Sequence, residues 1–570
     1  MSAVPLILVV GGDAFAVRVC EELLATQGHR VTLLWVHEPE LAAKLERLGC
    51  EYLPHGPNDH DALRLAGIGE AASIMTLSDD DRLNLQVALK ARDLNPSIRV
   101  VIRQYNQVLG RKLEQNLPNC TVVSLSAHSA ATFVGTALDP SCFYALQFPE
   151  TVGVQTGFAE RAAAELGIAG MTVAEAQRKL RARVVALDGA TACPPERRIR
   201  PEQRVTVFAR IEQLLAAGRP PATFMGERRK RHALRLWVAL AKRLRALRTL
   251  DPILARLAVA ALAVFALAVA YFTVALGRDP LTAFYFVATT FTTTGYGDVT
   301  PLGNPPAMVA AGLLMFVGVA ASGIFIAFLT SALTRAQFTA MQGLRQIRTR
   351  NHVIVCGSGN VGTRAIGHLR ALGQKVVVIE PQPDPALIEM SRQREIELLT
   401  ADATRDATLD RCNIASARAA IAVTSSDTAN LEIALGVRAR NPNLPMVMRA
   451  QDDAFAESVA RQFGSITIHS TRALAAPAFA MLSRFPGTRG RIAIGAEEYN
   501  VGERLQNERP EPPPADDCIP LGVWRKGGFC HIDAFEQMEP FDQLLFLVPL
   551  SQFKAHPAAN PDAVEAVRSL

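Results

Sequence analysis

The chain is poor in the residues that build disulfide and metal scaffolds. Its nine cysteines are an odd number, with no CxxC pair and no metal-ligand spacing. That excludes a disulfide framework or zinc module and reads as reduced, mostly buried thiols. Charged residues make up 20% and aromatic residues 6%, against 49% hydrophobic, a balance expected of a folded protein with membrane content. The opening MSAVPLILVVGG has no basic n-region and too short an apolar core for a signal peptide; it reads as a strand running into a glycine turn. At 570 residues there is room for three or four domains.

Acid is absent where base is densest. Between Arg228 and Arg248 there are nine Lys or Arg and no Asp or Glu, so a chain of net charge +6 is −3 without that stretch. No recognition motif for nucleic acid accompanies the run, and it directly precedes the first long apolar segment. Such a flank belongs on the cytoplasmic side, where anionic lipid attracts it. A basic juxtamembrane helix is expected over 225–250.

Leu257 to Leu276 is twenty residues without a charge, and Ala307 to Thr334 is twenty-eight more; as helices they run about 30 and about 42 Å, enough to cross a bilayer. Basic residues flank both runs on their outer sides, while the connection carries only Arg278. This places both termini in the cytoplasm of a multi-pass protein of the plasma (bacterial inner) membrane. Pro280 to Gly297 is uncharged too, but its second half is threonine and glycine, and a third crossing would export everything after Arg335. A re-entrant segment is expected instead: a short helix from about Pro280, which suits a first helical turn, then an extended return. Non-helical backbone at membrane depth must be buried in protein or line a water-filled path.

The return reads Thr293-Thr294-Gly295-Tyr296-Gly297-Asp298. Gly295 and Gly297 permit backbone angles that turn successive carbonyls the same way, and rings of such carbonyls replace the water shell of a monovalent cation. The Thr293 hydroxyl would add a ring at the inner end, Tyr296 would brace the strand from behind and Asp298 would lie at the outer mouth. This stretch resembles the selectivity filter of potassium channels, usually TVGYGD, with Thr294 in place of valine. The resemblance implies a two-span pore module over 251–335 and a homotetramer, with K⁺ held by the carbonyls of Thr293, Thr294, Gly295 and Tyr296. Gly318 and Gly323 of the inner helix are either bending points of a gate or small residues for close packing.

The two ends of the chain repeat each other. Residues 78–103 align without gaps on 424–449, with Asp81/Asp427, Asn84/Asn430, Leu89/Leu435, Asn95/Asn441 and Arg103/Arg449 among the identical pairs. Each copy opens strand–glycine turn–helix–strand, which predicts α/β Rossmann-like domains with doubly wound parallel sheets. The second copy has the dinucleotide fingerprint: Gly357, Gly359 and Gly362 between strand and helix, and Glu380 ending the next strand. The loop Gly357-Ser358-Gly359-Asn360-Val361-Gly362 would hold phosphates at the helix N-terminus, and Glu380 would accept the ribose hydroxyls, favouring NAD over NADP. In the first copy Gly12, Ala14 and Val17 are taken as the matched positions, Asp13 puts a carboxylate in the loop, and Trp35 stands where Glu380 does. Asp79, Asp80 and Asp81 either bind a divalent cation or cap a helix starting near Leu83.

Both copies resemble regulator-of-potassium-conductance (RCK, TrkA-N type) domains, which adds Asp402, Ala403 and Thr404 of the ADAT stretch (401–404) to the expected nucleotide contacts. Domains are expected at 1–224, with a smaller C-terminal lobe, at 351–484, and at 485–570 as the second lobe; 336–350 links pore to regulator. The resemblance implies a ligand-gated potassium channel whose RCK domains form a gating ring and take NAD(H) or another adenine nucleotide. Two other functions compete. A membrane-anchored dehydrogenase would need a His, Lys or Tyr placed for hydride chemistry, which is lacking, so no enzyme is expected. An NAD-binding regulatory subunit of a potassium transport system would leave the filter unexplained.

Overall fold

The computed structural model describes residues 4–26, 29–56, 60–148, 154–217, 252–341, 346–506, 517–532 and 535–555. The basic segment 228–248 and most of the proline-rich stretch 509–518 lie outside them. The chain divides into two units: Met1–Pro220 with Arg345–Leu570, and Pro221–Leu344.

In the first unit, strands Leu6–Val10 (β1), Arg30–Leu34 (β2), Glu51–Leu53 (β3), Ala71–Thr76 (β4), Arg99–Arg103 (β5) and Cys120–Val123 (β6) form one parallel sheet in the order β3-β2-β1-β4-β5-β6. The run LILVV of β1 is wholly buried, as a central strand covered on both faces must be. Strands Cys142–Gln147 (β7), Gln155–Ala162 (β8), Arg183–Leu187 (β9) and Arg204–Arg210 (β10) make a smaller antiparallel sheet ordered β7-β8-β10-β9.

The second copy repeats this plan. Strands His352–Cys356 (β11), Lys375–Ile379 (β12), Glu397–Leu399 (β13), Ala419–Ala422 (β14), Met446–Ala450 (β15) and Thr467–Ser470 (β16) are parallel in the order β13-β12-β11-β14-β15-β16. Thr488–Ile494 (β17), Glu497–Leu505 (β18), Ile519–Arg525 (β19), Gly528–Cys530 (β20) and Gln543–Pro549 (β21) form its antiparallel lobe.

The identical residues of the repeat do matched structural work. The Asn84 amide donates to the carbonyls of Ser78 and Arg103, and the Asn430 amide to those of Thr424 and Arg449. Asp81 accepts from the Tyr105 amide, and Asp427 from the amides of Gln451 and Asp452. The helix expected near Leu83 begins at Asp81, capped by Asp80. Its start is set by that carboxylate accepting the amides of Arg82 and Leu83, not by the first apolar residue. Among the described residues no group of three or more His, Cys, Asp or Glu forms a metal cluster.

Each copy completes the other's core. The helix Leu125–Leu138, after the first sheet, packs with Val361, Ala365 and Leu369 of the second copy. Its counterpart Thr471–Leu482 lays Ala475, Ala476 and Phe479 against Phe15, Val19 and Leu23 of the first, with the Phe15 and Phe479 rings edge to face at 5.1 Å. The two lobes share a third core, including Tyr144, Phe158, Phe208, Ile492, Tyr499 and Leu545.

His469 lies at this junction, its Nε2 3.0 Å from Thr136 Oγ1 and its ring against Phe133. Burial holds its pKa down, at about 4. A base whose folded pKa lies below its unfolded value near 6.5 leaves stability undiminished above about pH 6.5 and draws it down as pH falls toward 4. Wild-type unfolding free energy is expected to drop over that window by up to ~3 kcal/mol more than that of His469→Gln. Chemical denaturation across pH checks it.

The second unit contains helices Pro252–Ala275, Pro280–Phe291 and Pro305–Met341 around a core including Phe272, Phe286, Val287, Ala311 and Leu314. Pro305–Ala327 is long and apolar enough to cross a membrane, with mean hydropathy 2.3; Val259–Ala275 is apolar but shorter. Large apolar side chains face outward here: Val274 is 84% and Phe316 79% exposed.

Candidate functional site

The short middle helix of the second unit begins as its sequence demands. Pro280 occupies the first turn, and the Asp279 carboxylate accepts the Thr282 amide. At the other end the chain turns back on itself: the amides of Thr294 and Gly295 both donate to the Thr289 carbonyl, and that of Thr293 to Thr290. From there φ is positive at every second residue, +62° at Thr293, +52° at Gly295 and +76° at Gly297. Alternating handedness is what turning successive carbonyls to one side of a strand requires, and a regular β-strand does not have it. The glycine pattern announces two of these positions. Thr293, a β-branched residue in the left-handed region, carries no such signal. Tyr296 is 71% exposed in the single chain, and the Asp298 carboxylate accepts the Val299 amide.

Of the two inner-helix glycines, Gly318 is in close contact: a Cβ there would lie 2.4 Å from the Phe291 carbonyl oxygen, whereas one at Gly323 meets nothing within 4 Å. Gly318→Ala is expected to reduce the yield of assembled protein on size-exclusion chromatography, and Gly323→Ala to leave it intact. Altered open probability in Gly323→Ala would mark that position as a bending point.

In the second copy of the first unit, Gly357 takes φ +98° and a Cβ on it would press on Thr424 and Val423. Gly362 packs behind the turn, where a Cβ would lie 2.1 Å from the Gly357 oxygen. Gly359 is the N-cap of helix Asn360–Ala371 and offers no side-chain cap, so the first-turn amides stay available to an anion. The Ser358 amide and hydroxyl both donate to Glu380 Oε2 at 2.8 and 2.9 Å, ordering the carboxylate beside the loop. Asp402 accepts from the Thr404 amide and hydroxyl, and these bonds lower its pKa.

A cleft of about 750 Å³ opens over this loop, a volume in the range of small-molecule sites. Gly357, Gly359, Asn360, Val361, Glu380, Asp402, Ala403 and Thr404 all line it; Ser358 and Gly362 do not. Its far wall belongs to the first copy and includes Gln104, Tyr105, Ser124 and Ser126. Arg364 joins the two walls, donating to Ser126 Oγ at 2.9 Å and to the Tyr105 carbonyl at 3.0 Å, with its guanidinium 5.2 Å from the Tyr105 ring centroid. These wall residues follow from how the copies face each other, and no motif marks them. Arg449 also lines the cleft; its identity with Arg103 was the one available signal.

The first copy's loop corrects the sequence alignment. Strand pairing and helix starts place Gly11, Asp13 and Ala16, rather than Gly12, Ala14 and Val17, opposite Gly357, Gly359 and Gly362. The Gly11 amide donates to Leu34 O just as that of Gly357 donates to Ile379 O. The short spacing between two adjacent glycines misled the sequence match. Trp35 does take the place of Glu380: its amide donates to Leu53 O as the Glu380 amide donates to Leu399 O.

A TrkA-N domain model matches residues 7–124 and again 353–470, and an ion channel model matches 259–335. Potassium channel protein 1 of Methanocaldococcus jannaschii is 31% identical over 185 residues, 31% of this chain and 54% of its own length. The voltage-gated potassium channel Kch of Escherichia coli is 27% identical over 181 residues, 30% of this chain and 42% of its own. The chain spans about half or less of the curated relatives it matches. Among solved structures, the GsuK channel bound to NAD shares 14% identity at a TM-score of 0.48, covering 99% of this chain and 80% of that one.

Proposed function

Because the chain carries one TrkA-N (RCK) domain before an ion-channel domain and another after it, we propose that it is a potassium-selective channel, assembled as a homotetramer and gated by an adenine nucleotide in its second RCK domain. One observation carries the first part: the alternating φ at Thr293, Gly295 and Gly297 behind a capped short helix. Repeated fourfold, this strand stacks carbonyl cages that replace the hydration shell of K⁺, with the Thr293 hydroxyl adding a ring. The cleft over Gly357–Gly362 carries the second part. Its open helix N-terminus suits phosphates, and Glu380 lies where ribose hydroxyls would donate.

A nucleotide that fits one arrangement of the two facing copies better than another shifts the population of that arrangement by its differential affinity. The inner helix runs on to Met341, through the first part of the linker expected at 336–350, and the residues from there to 350 are the covalent route between the second copy and the gate. Purified protein in planar bilayers tests both parts. Current is expected with K⁺ as charge carrier and not with Na⁺, and open probability is expected to change on adding NADH or ADP to the RCK side. Equal permeation of both ions would refute the selectivity, and indifference to every adenine nucleotide would refute the gating.

A further inference from the structure

The first copy contains, inside itself, the contact that the second copy leaves open. At the position of the fingerprint's second glycine stands Asp13. Its carboxylate accepts the Ala16 amide at the helix N-terminus at 3.0 Å and Arg103 Nη1 at 3.1 Å. Arg103, at the end of β5, is anchored by donating to the Leu77 carbonyl at 2.8 Å. One anion thus satisfies a helix terminus and an arginine together, and here the chain supplies that anion.

In the second copy the same backbone carries Gly359, and a Cβ there meets nothing within 4 Å, so the space of the Asp13 carboxylate is open. The arginine is still present: Arg449 ends β15, lines the cleft and has a buried Nε without a hydrogen-bond partner. Two charges act on it, Asp427 and Arg472. Asp427 is already engaged by the amides of Gln451 and Asp452, and Arg472 donates to the Gln451 carbonyl. Burial makes the charged Arg449 guanidinium costlier, a penalty that an anion in the cleft would relieve.

Resting on the nucleotide reading above, we infer that Arg449 holds the phosphates of the bound nucleotide at the N-terminus of helix Asn360–Ala371, as Arg103 holds Asp13 in the first copy. The first copy is thereby closed to phosphates by its own carboxylate, so each chain takes one nucleotide, not two.

Calorimetric titration of the full-length protein in detergent with ADP and with adenosine tests this. Wild type is expected to bind one ADP per chain, more tightly than adenosine. In Arg449→Gln the ratio of ADP to adenosine affinity is expected to fall by about tenfold to a hundredfold, the worth of a charge-assisted hydrogen bond to phosphate. Arg449→Lys is expected to recover part of it. Gly359→Asp, which installs the first copy's carboxylate in open space, is expected to lose ADP binding without melting earlier. An unchanged affinity ratio in Arg449→Gln, or full ADP affinity in Gly359→Asp, would overturn the assignment. Two ADP per wild-type chain would overturn the closure of the first copy. Wild type that binds neither compound would overturn the nucleotide reading, and this inference with it.

Discussion

Gly295→Ala is expected to abolish potassium current in planar bilayers while leaving ADP binding by the RCK unit intact. Gly295 holds φ +52° between Thr293 and Gly297, both also positive. A side chain in the left-handed region costs ~1–2 kcal/mol, hence ~4–8 kcal/mol over the four subunits proposed. That moves the balance between aligned and turned-away carbonyls by about a thousandfold or more. Thr293 already bears such a strain in the native strand, and a side chain at Gly295 adds a second. Single-channel recording with matched ADP titration checks both halves. A conducting, selective Gly295→Ala channel would remove this strand from the permeation path.

Gly362→Ala is expected to weaken ADP binding by at least about a hundredfold and to lower the melting temperature of the RCK unit. The added methyl would lie 2.1 Å from the Gly357 oxygen and 2.9 Å from its carbonyl carbon. Both are backbone atoms, so the loop must move away from the helix, at a cost of about 1–3 kcal/mol. The displaced loop forfeits at least two charge-assisted phosphate contacts, each worth roughly 1.5–3 kcal/mol. Gly359→Ala is the control, since its methyl meets nothing within 4 Å and no earlier melting is expected. Calorimetry and thermal unfolding of the two variants separate a packing effect from a general intolerance of the loop.

The parallel sheets, the repeat and the start of the short helix at Pro280 were legible because each rests on local signals: apolar strand runs, matched residues and a proline in a first turn. Glu380 came from a local signal of the same kind and Asp402 and Thr404 from the family resemblance, and the structure brings all three round one cleft. The first copy's loop was misaligned by one residue because Gly11 and Gly12 are adjacent, and only strand pairing shows which of them makes the turn. The far wall at Gln104, Tyr105 and Ser126 was hidden, since residues more than two hundred positions from Arg364 meet it only through packing of the copies. The positive φ of Thr293 was hidden as well, because threonine ordinarily avoids that region.

The interlocking of the copies sets an order of events during synthesis. Phe15, Val19 and Leu23 emerge early, but the helix that covers them, Thr471–Leu482, is translated only after residues 259–335, the stretch that matches an ion channel model. At translation rates of about 5–20 residues per second, that leaves the first copy with an open face for very roughly 20–90 s. Its apolar surface must outlast synthesis of the whole middle of the chain, so nascent protein at that stage is the species most exposed to chaperones and proteases.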